Sequence, residues 1–447
     1  MEHIQRETLR YALEIKNDSL FSLDASELRV FIGILIFSGY VKLPSERMYW
    51  SEAVDVHANR LVREAMTRGT YMKIKRYLHV QNNNGRRPGD TDRGFKVRPL
   101  ISMLNDSFRK FGIYQQNLAV DEMIVRYYGH HGLKQFMRGK PVRFGYKLWA
   151  LCGADGFCHK FDLYCGKEVR PELQGKPLGS RVVLDMIGAV ENPQSHSLFF
   201  DNFFTSRSLL SELRARGMQA TGTVRENRME KCPLKTQKEL AKEGCGAYDA
   251  RFDKETEVLA VRWFDNKSVN MLSNYDFVHP IRMTQRFNRS TGGKVDVPQP
   301  RLLSTYNDGM GGVDIHDWHL SKYNIAIRGK KWYWCLLTRM IDMTVVNAWL
   351  LHKVCTPNGK AQLSQVEFRR EIAISYLRSS SRNSACLPTS PALVPQSMRY
   401  DGIGHLMGPM GKRLRCRLET CSQKPSKWCT KCRVHLCVKC FVPYHTA

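Results

Sequence analysis

The stretch His196-Ser197-Leu198-Phe199-Phe200-Asp201-Asn202-Phe203-Phe204-Thr205-Ser206 constrains this chain more than any other. Four phenylalanines and a leucine make an apolar strand that suits only the interior of a sheet. A carboxylate stands in the middle of it. Burying an ionised Asp costs several kcal/mol unless it is paired or holds a cation. Thr205 reads as a helix N-cap, so Asp201 is expected near the carboxyl end of its strand, the edge where open α/β sheets place their chemistry. The bland alternative is an Asp that caps the next helix. Asp121 and Asp314 stand in comparable settings, and that company favours function.

The chain has 447 residues, enough for roughly three domains of ~150. With 43% hydrophobic residues it can bury sizeable cores, which excludes a disordered protein. Its 69 Lys and Arg against 42 Asp and Glu leave a net charge of +27. Such an excess points to a polyanion, and nucleic acid is the usual one. Membrane is not expected: the longest apolar run, Val30 to Val41, is too short to span a bilayer. The opening MEHIQRETLRYALEIK lacks the apolar core of a signal peptide. Of 14 cysteines, six fall between Cys416 and Cys440 and the rest are scattered. Scattered thiols suggest a reducing compartment, and a cluster there suggests metal.

From the start to about Gly112 the pattern is helical. Asp24 and Glu27 form a capping box ahead of Leu28, Phe31, Ile32, Leu35 and Ile36, expected on one helix face. A second helix is predicted over Val56 to Thr67, with Arg60 and Arg63 on its polar side. A third, capped by Thr70, carries Lys73, Lys75 and Arg76; Leu100, Leu104 and Phe108 stripe a fourth. At Gln116 the period changes. Leu118 to Tyr127, 144–152 and 158–165 read as strands. A helix capped by Ser180, the Asp201 strand, a helix with Leu209, Leu210 and Leu213, and a strand from Gln219 to Val224 follow. This order fits a mixed sheet with right-handed crossovers. The ribonuclease-H-like core has that order and sets carboxylates of its first and fourth strands side by side.

A small β-rich insertion is expected from about Arg225 to Pro300. After it, Gly309-Met310-Gly311-Gly312-Val313-Asp314 leads into a helix with Asp314 and Asp317 one turn apart. Between Trp318 and Ile341 the formal charges are all positive: Lys322, Arg328, Lys330, Lys331 and Arg339. Tyr323, Trp332, Tyr333 and Trp334 are interleaved, a mixture suited to phosphates and unpaired bases. Two more helices are predicted, Leu336 to His352 and Ser364 to Leu377. The Ser- and Pro-rich stretch Ser379 to Gln396 reads as a linker.

Three acids brought together by folding could hold two divalent ions ~3.5–4 Å apart, as phosphodiester cleavage and strand transfer require. Mg²⁺ is a hard cation, so Asp suits it better than His or Cys. Glu122, Asp185, Asp308 and Asp317 are rival ligands. At the C-terminus, Cys416, Cys421, Cys429, Cys432, Cys437, Cys440 and His445 form a zinc pattern, because so short a segment cannot fold without metal. Two Zn²⁺ in a cross-braced finger are expected. Cys416, Cys421, Cys437 and Cys440 would share one ion, and Cys429, Cys432 and His445 the other, with His435 or water as the eighth ligand.

The strings AVDEMIV, RGKPVRFGYKLW, FFDNFFTS, ATGTVR, MGGVD and IRGKKWYW resemble, in that order, those of piggyBac-type transposases and piggyBac transposable-element-derived proteins. The resemblance implies an α/β protein with a ribonuclease-H-like catalytic core, a β-rich insertion, a split helical dimerisation and DNA-binding domain, and a C-terminal cross-brace zinc finger. The implied boundaries are 1–115 and 325–385 for the helical domain, 116–227 and 301–324 for the core, and 228–300 for the insertion. A linker at 386–411 and a cysteine-rich domain at 412–447 follow. Family roles fall on Asp121, Asp201 and Asp314 as catalytic, Mg²⁺- or Mn²⁺-holding aspartates, with Asp317 as an auxiliary acid. DNA contacts are expected from Arg138, Lys140, Lys322, Arg328, Lys330, Lys331, Trp332, Arg413 and Arg415. The resemblance further implies a nuclear homodimer that cuts element ends through hairpin intermediates and inserts at TTAA, with no small-molecule substrate. Family members often begin with an acidic segment that this chain lacks, the expectation of a partial gene product. Two other functions are open to such a sequence: a catalytically silent, chromatin-binding derivative, and a RING-like ubiquitin ligase acting through the zinc tail. The ligase leaves the three aspartates and the charge unexplained.

Overall fold

The computed structural model describes all residues except 54–55, 57–59, 87, 91, 141, 167–173, 289–291, 358–360, 380–393, 395, 412 and 447. The chain opens with helices α1 (Glu2–Glu14), α2 (Ala25–Phe37), α3 (Arg60–Ala65), α4 (Arg68–Tyr77) and α5 (Arg98–Phe111). Strands β1 (Asn117–Arg126), β2 (Gln135–Phe136), β3 (Phe144–Gly153) and β4 (Cys158–Leu163) come next. They are followed by α6 (Leu178–Ile187), β5 (Ser197–Phe200), α7 (Arg207–Ala215) and β6 (Gln219–Thr223). Then come α8 (Gln237–Glu243), β7 (Tyr248–Asp253), β8 (Val258–Phe264), β9 (Ser268–Ser273), β10 (Arg282–Asn288) and β11 (Gly293–Gln299). Helices α9 (Arg301–Gly309), α10 (Gly312–Lys322), α11 (Trp334–Cys355) and α12 (Gln365–Leu377) precede a small C-terminal module. That module holds α13 (Gln396–Arg399), β12 (Met407–Pro409), β13 (Lys427–Cys429), β14 (Val434–His435) and α14 (Val438–His445).

The chain divides into two compact units. One comprises Met1–Asn82, Ile325–Ile327 and Leu363–Ala447. In it, the capping box of Asp24 and Glu27 is present at α2. The helix is buried almost all round rather than on one face, with Val30, Gly33, Ile34 and Phe37 covered as well. The reason is α12, which lies so close that a Cβ on Gly33 would meet that of Tyr376 at 2.9 Å. Buried Arg369 of α12 donates from Nε to the Ile36 carbonyl at 3.3 Å. The helix predicted from Val56 begins at Arg60, with 57–59 outside the described residues, and α4 is capped by Thr67 rather than Thr70. Thr67 caps it because its hydroxyl accepts the Thr70 backbone N–H at 3.2 Å.

The second unit, Asn83–Asn324 with Arg328–Gln362, is built on a nine-stranded sheet. Its order is β2-β3-β1-β5-β6-β9-β8-β7, with β4 also paired to β3. Strands β1, β5 and β6 run parallel; the other pairings are antiparallel. Alternation along the strands sorts the two faces. Leu118, Val120, Leu198 and Phe200 pack with Val183, Leu209, Leu210 and Leu213 of α6 and α7. The intervening residue Phe199 faces α9, whose Gly309 sits so close that a Cβ would meet the Phe199 ring at 2.2 Å.

One expectation changes here: the N-cap position of α6 is Pro177, with no side-chain cap, and Ser180 lies inside the first turn. The β-rich stretch joins the central sheet, because β9 pairs with β6 and β7–β9 extend it, while the β10–β11 hairpin stands apart. Helices α5 and α11, which the family resemblance grouped with the helical domain, lie within the sheet unit. Asn347 of α11 explains its place, since its amide takes the Cys158 N–H at 3.0 Å and donates to the Cys158 carbonyl at 2.8 Å.

His159 on β4 is fully buried, stacks on Tyr114 with ring centroids 4.0 Å apart, and makes no ring hydrogen bond. Burial, with the His196 charge second, pushes its pKa down to about 3. The unfolded chain therefore takes a proton that the native one refuses, and stability falls as pH drops below about 6.5. His159→Phe is expected to melt roughly 3–5 °C higher than the parent near pH 4.5, with little difference at pH 8, by thermal unfolding followed by circular dichroism.

Candidate active site and metal-binding module

Asp121 and Asp201 come from neighbouring parallel strands. Val120 pairs with Phe200, so the two aspartates follow at the next position on strands spaced about 4.7–4.9 Å apart. Strand β5 ends at Phe200, and Asp201 stands just beyond it, at the carboxyl edge as expected. Both share the parity of Phe199 and so face α9 and α10. The Asp121 Oδ1 accepts the Glu122 N–H at 2.7 Å, and the Asp201 Oδ1 accepts the Phe203 N–H at 2.8 Å. The expected helix-capping residue, Thr205, instead donates its hydroxyl to the Asp201 carbonyl at 2.8 Å, and Ser206 caps α7.

Helix α10 brings the third acid. A Cβ on Gly312 would lie 2.3 Å from the Gly153 carbonyl, and Gly153 pairs with Leu118. Further along, the Asp317 carboxylate accepts from Arg339 at 2.9 Å, and the same guanidinium donates to the Ile124 carbonyl at 3.1 Å. Between those anchor points on β1 lies Asp121. Asp314, third residue of the helix, is exposed between them.

The electrostatics agree with this convergence. Burial, then the charges of Glu122 and Asp201, push the Asp121 carboxyl up to about 7. Burial, opposed by the Phe203 N–H and aided by Glu122, raises Asp201. Tyr306 on α9 is pushed up to about 12 by burial, with the charges of Asp201 and Asp121 adding to it. Lys140 feels Glu122, Asp121 and Asp314 together, and against burial they raise its pKa. Of the rival acids, Glu122 is paired with Lys140 at 3.1 Å and Lys147 at 3.5 Å. Those lysines outweigh burial and hold its pKa below the usual range. Asp185 is paired with Lys160 at 3.3 Å, and Asp308 is exposed.

Most expected DNA contacts are exposed: Arg138, Lys140, Lys322, Arg328, Lys330, Arg413 and Arg415; Lys331 is half-buried. The aromatics turn inward. Trp332 stacks on His131 with centroids 4.0 Å apart, and Tyr333 and Trp334 are buried.

The C-terminal module carries two ligand clusters. Cys416, Cys421, Cys437 and Cys440 form one; His405, Cys429, Cys432 and His445 form the other. In each, the donor atoms lie within 4.8 Å of one another. The grouping is interleaved along the chain, as a cross-brace requires. His405, rather than His435, therefore stands where an eighth donor would be needed. His435 is buried on β14, opposite Trp428, outside both clusters. The His405 Nδ1 stands 3.4 Å from the Cys429 sulfur and 3.5 Å from that of Cys432, while its Nε2 meets Asp401 at 2.9 Å. The His445 Nδ1 is tied to the Phe441 carbonyl at 2.8 Å, and its buried Nε2 has no hydrogen-bond partner. An orphaned imidazole nitrogen beside two thiols is what a metal would satisfy, and a carboxylate behind a histidine is the usual support for such a ligand. The linker expected at 386–411 explains why His405 was missed. Its first part lies outside the described residues, but the remainder holds α13, Asp401, His405 and β12, which pairs with β13.

The Transposase IS4 family model matches residues 1–349. Human piggyBac transposable element-derived protein 3 is 39% identical over 95% of this chain and 70% of its own length. Human piggyBac transposable element-derived protein 2 is 39% identical over 99% and 73%. This chain belongs to the piggyBac transposase family. A piggyBac transposase solved as a synaptic complex with hairpin DNA shares the fold, with a TM-score of 0.70 and 21% identity over 86% of this chain and 80% of that one. The family is one of transposases and their derived proteins. Among the described residues, no helix is long and apolar enough to cross a membrane.

Proposed function

We propose that this chain is a nuclear, dimeric DNA transposase of piggyBac type that cuts and rejoins phosphodiesters at element ends and TTAA targets. The observation that carries the reading is the adjacency of Asp121 and Asp201 on parallel strands, with Asp314 brought to the same face by α10. The strand order β4-β3-β1-β5-β6 within the sheet supports a ribonuclease-H-like core. Hard carboxylate oxygens, crowded enough to raise a buried Asp, fit Mg²⁺ or Mn²⁺. Asp121, Asp201 and Asp314 would hold such ions, which when bound would activate the attacking oxygen and stabilise the leaving one. The chain's own part is orientation. Backbone N–H groups pin one oxygen of Asp121 and one of Asp201, and Glu122 keeps Lys140 and Lys147 beside the acids, where a phosphate would arrive. Asp317, engaged by Arg339, fixes the helix that presents Asp314. Duplex DNA is supported by the +27 charge and by the solved relative's hairpin DNA. Two Zn²⁺ suit the sulfur and imidazole clusters of the C-terminal module, whose Arg413 and Arg415 would contact DNA.

The test is cleavage of a labelled duplex bearing the inverted repeat that flanks the gene, with Mg²⁺ or Mn²⁺, resolved on a denaturing gel. Wild type should nick it, and Asp201→Ala should lose on the order of 10³-fold, since metal stabilisation is worth several kcal/mol. Binding without nicking under either metal would leave a silent chromatin protein as the better reading. Nicking that survives Asp201→Ala would overturn the site.

A further inference from the structure

Helix α10 has a face that the carboxylate site does not use. Its buried side carries Val313, His316, His319 and Leu320. Its open side carries Asp314, Ile315, Trp318 and Lys322. Trp318 is 56% exposed, and the Lys322 ammonium sits 3.3 Å from its ring centroid. The indole has the His319 ring tilted beside it at 4.9 Å, and the rest of its surface is open and able to stack a base. The expected stacking residue, Trp332, already has His131 on its ring.

Asp314, Trp318 and Lys322 are four residues apart in turn, so they fall nearly in line along the helix. The steps are roughly 6 Å. A strand within a duplex advances only about 3.4 Å per nucleotide. The helix spacing matches a strand whose bases have come apart. An acid at the proposed cutting site, then an indole, then a cation gives the sequence of chemistries that such a strand presents: scissile phosphate, base, next phosphate. We infer that the open face of α10 seats the unpaired strand beside the cut, with Trp318 stacking the first base and Lys322 taking the phosphate after it. The inference rests on the function proposed above, because it takes the direction of the strand from Asp314.

The test uses the full chain without added divalent metal and labelled duplexes that are blunt or carry a short oligo-dT overhang. Wild type should prefer the overhang by about tenfold, the scale of one stacked base. Trp318→Ala should lose that preference while keeping affinity for blunt duplex, and Trp318→Phe should retain most of it. Lys322→Gln should flatten the salt dependence of overhang binding by about 0.7 in log–log slope, one single-strand phosphate contact. An overhang preference that survives Trp318→Ala overturns this inference alone. Failure of wild type to bind any duplex overturns it together with the proposed function. Were the patch instead covered by a second copy of the chain, Trp318→Ala would lower the dimer fraction in sedimentation and leave the overhang preference intact, which also overturns it.

Discussion

Asp121→Asn is expected to make the metal-free protein more stable while abolishing strand cleavage. The physical reason is the sign of the Asp121 shift. Its carboxyl is pushed up to about 7 by burial and by the neighbouring acids, whereas in the unfolded chain it titrates near 3.9. The native state therefore holds a proton that the unfolded state releases, so stability falls as pH rises from about 4 to about 7 and levels off above. An asparagine oxygen still accepts the Glu122 N–H but carries no charge to repel Asp201. At pH 8 the variant should melt roughly 2–5 °C above wild type in the absence of divalent metal. Mg²⁺ or Mn²⁺ reverses the order, because an ion at 100-fold its Kd stabilises the wild type by about 2.7 kcal/mol and the variant much less. Differential scanning fluorimetry with and without metal reads both effects. A variant that melts below wild type in metal-free buffer, or gains equally from metal, would show that the two aspartates do not share an ion.

His405→Ala is expected to cost the C-terminal module one of two zinc ions, and His435→Ala neither. The first histidine offers a nitrogen to the sulfurs of Cys429 and Cys432; the second is in neither cluster. Structural zinc contributes on the order of 10–16 kcal/mol of apparent binding energy in small fingers, so losing a ligand unfolds the local chain rather than merely loosening it. Metal analysis of purified protein should give two zincs for wild type and for His435→Ala, and about one for His405→Ala. Asp401→Asn, which weakens the support behind His405 and the pairing of that carboxylate with Lys431, should weaken the second ion by roughly 10–100-fold. Two ions retained in His405→Ala would overturn the assignment.

The strands around Asp121 and Asp201 were legible because each is a nearly uninterrupted apolar run, and such runs have few places to go but a covered sheet. Their relative register was not, since parallel pairing is decided by crossover helices and not by either strand. Helix starts drifted by a turn at Thr70 and Ser180. In each case a residue able to cap lay inside the first turn: at α4 the hydroxyl of Thr67 found the free N–H first, and at α6 Pro177 starts the helix with no side-chain cap at all. The interleaved aromatics after Trp318 read as a stacking surface. Packing instead hid them beneath Gly329 and beside His131, where a Cβ on Gly329 would meet the Trp334 ring at 2.2 Å. The zinc cysteines declared themselves by spacing. His405 did not, because ten intervening residues, rich in Gly and basic side chains, separate it from Cys416 and look like a tether.

The pairing of β9 with β6 has a consequence for how this chain can change. In the primary order, the segment between Arg225 and Pro300 looks like a detachable module that could be trimmed without cost. In space it flanks β6, which would otherwise expose a row of unpaired amides. Cutting it out would turn an interior strand into a bare rim two strands from Asp121, open to pairing with any other polypeptide.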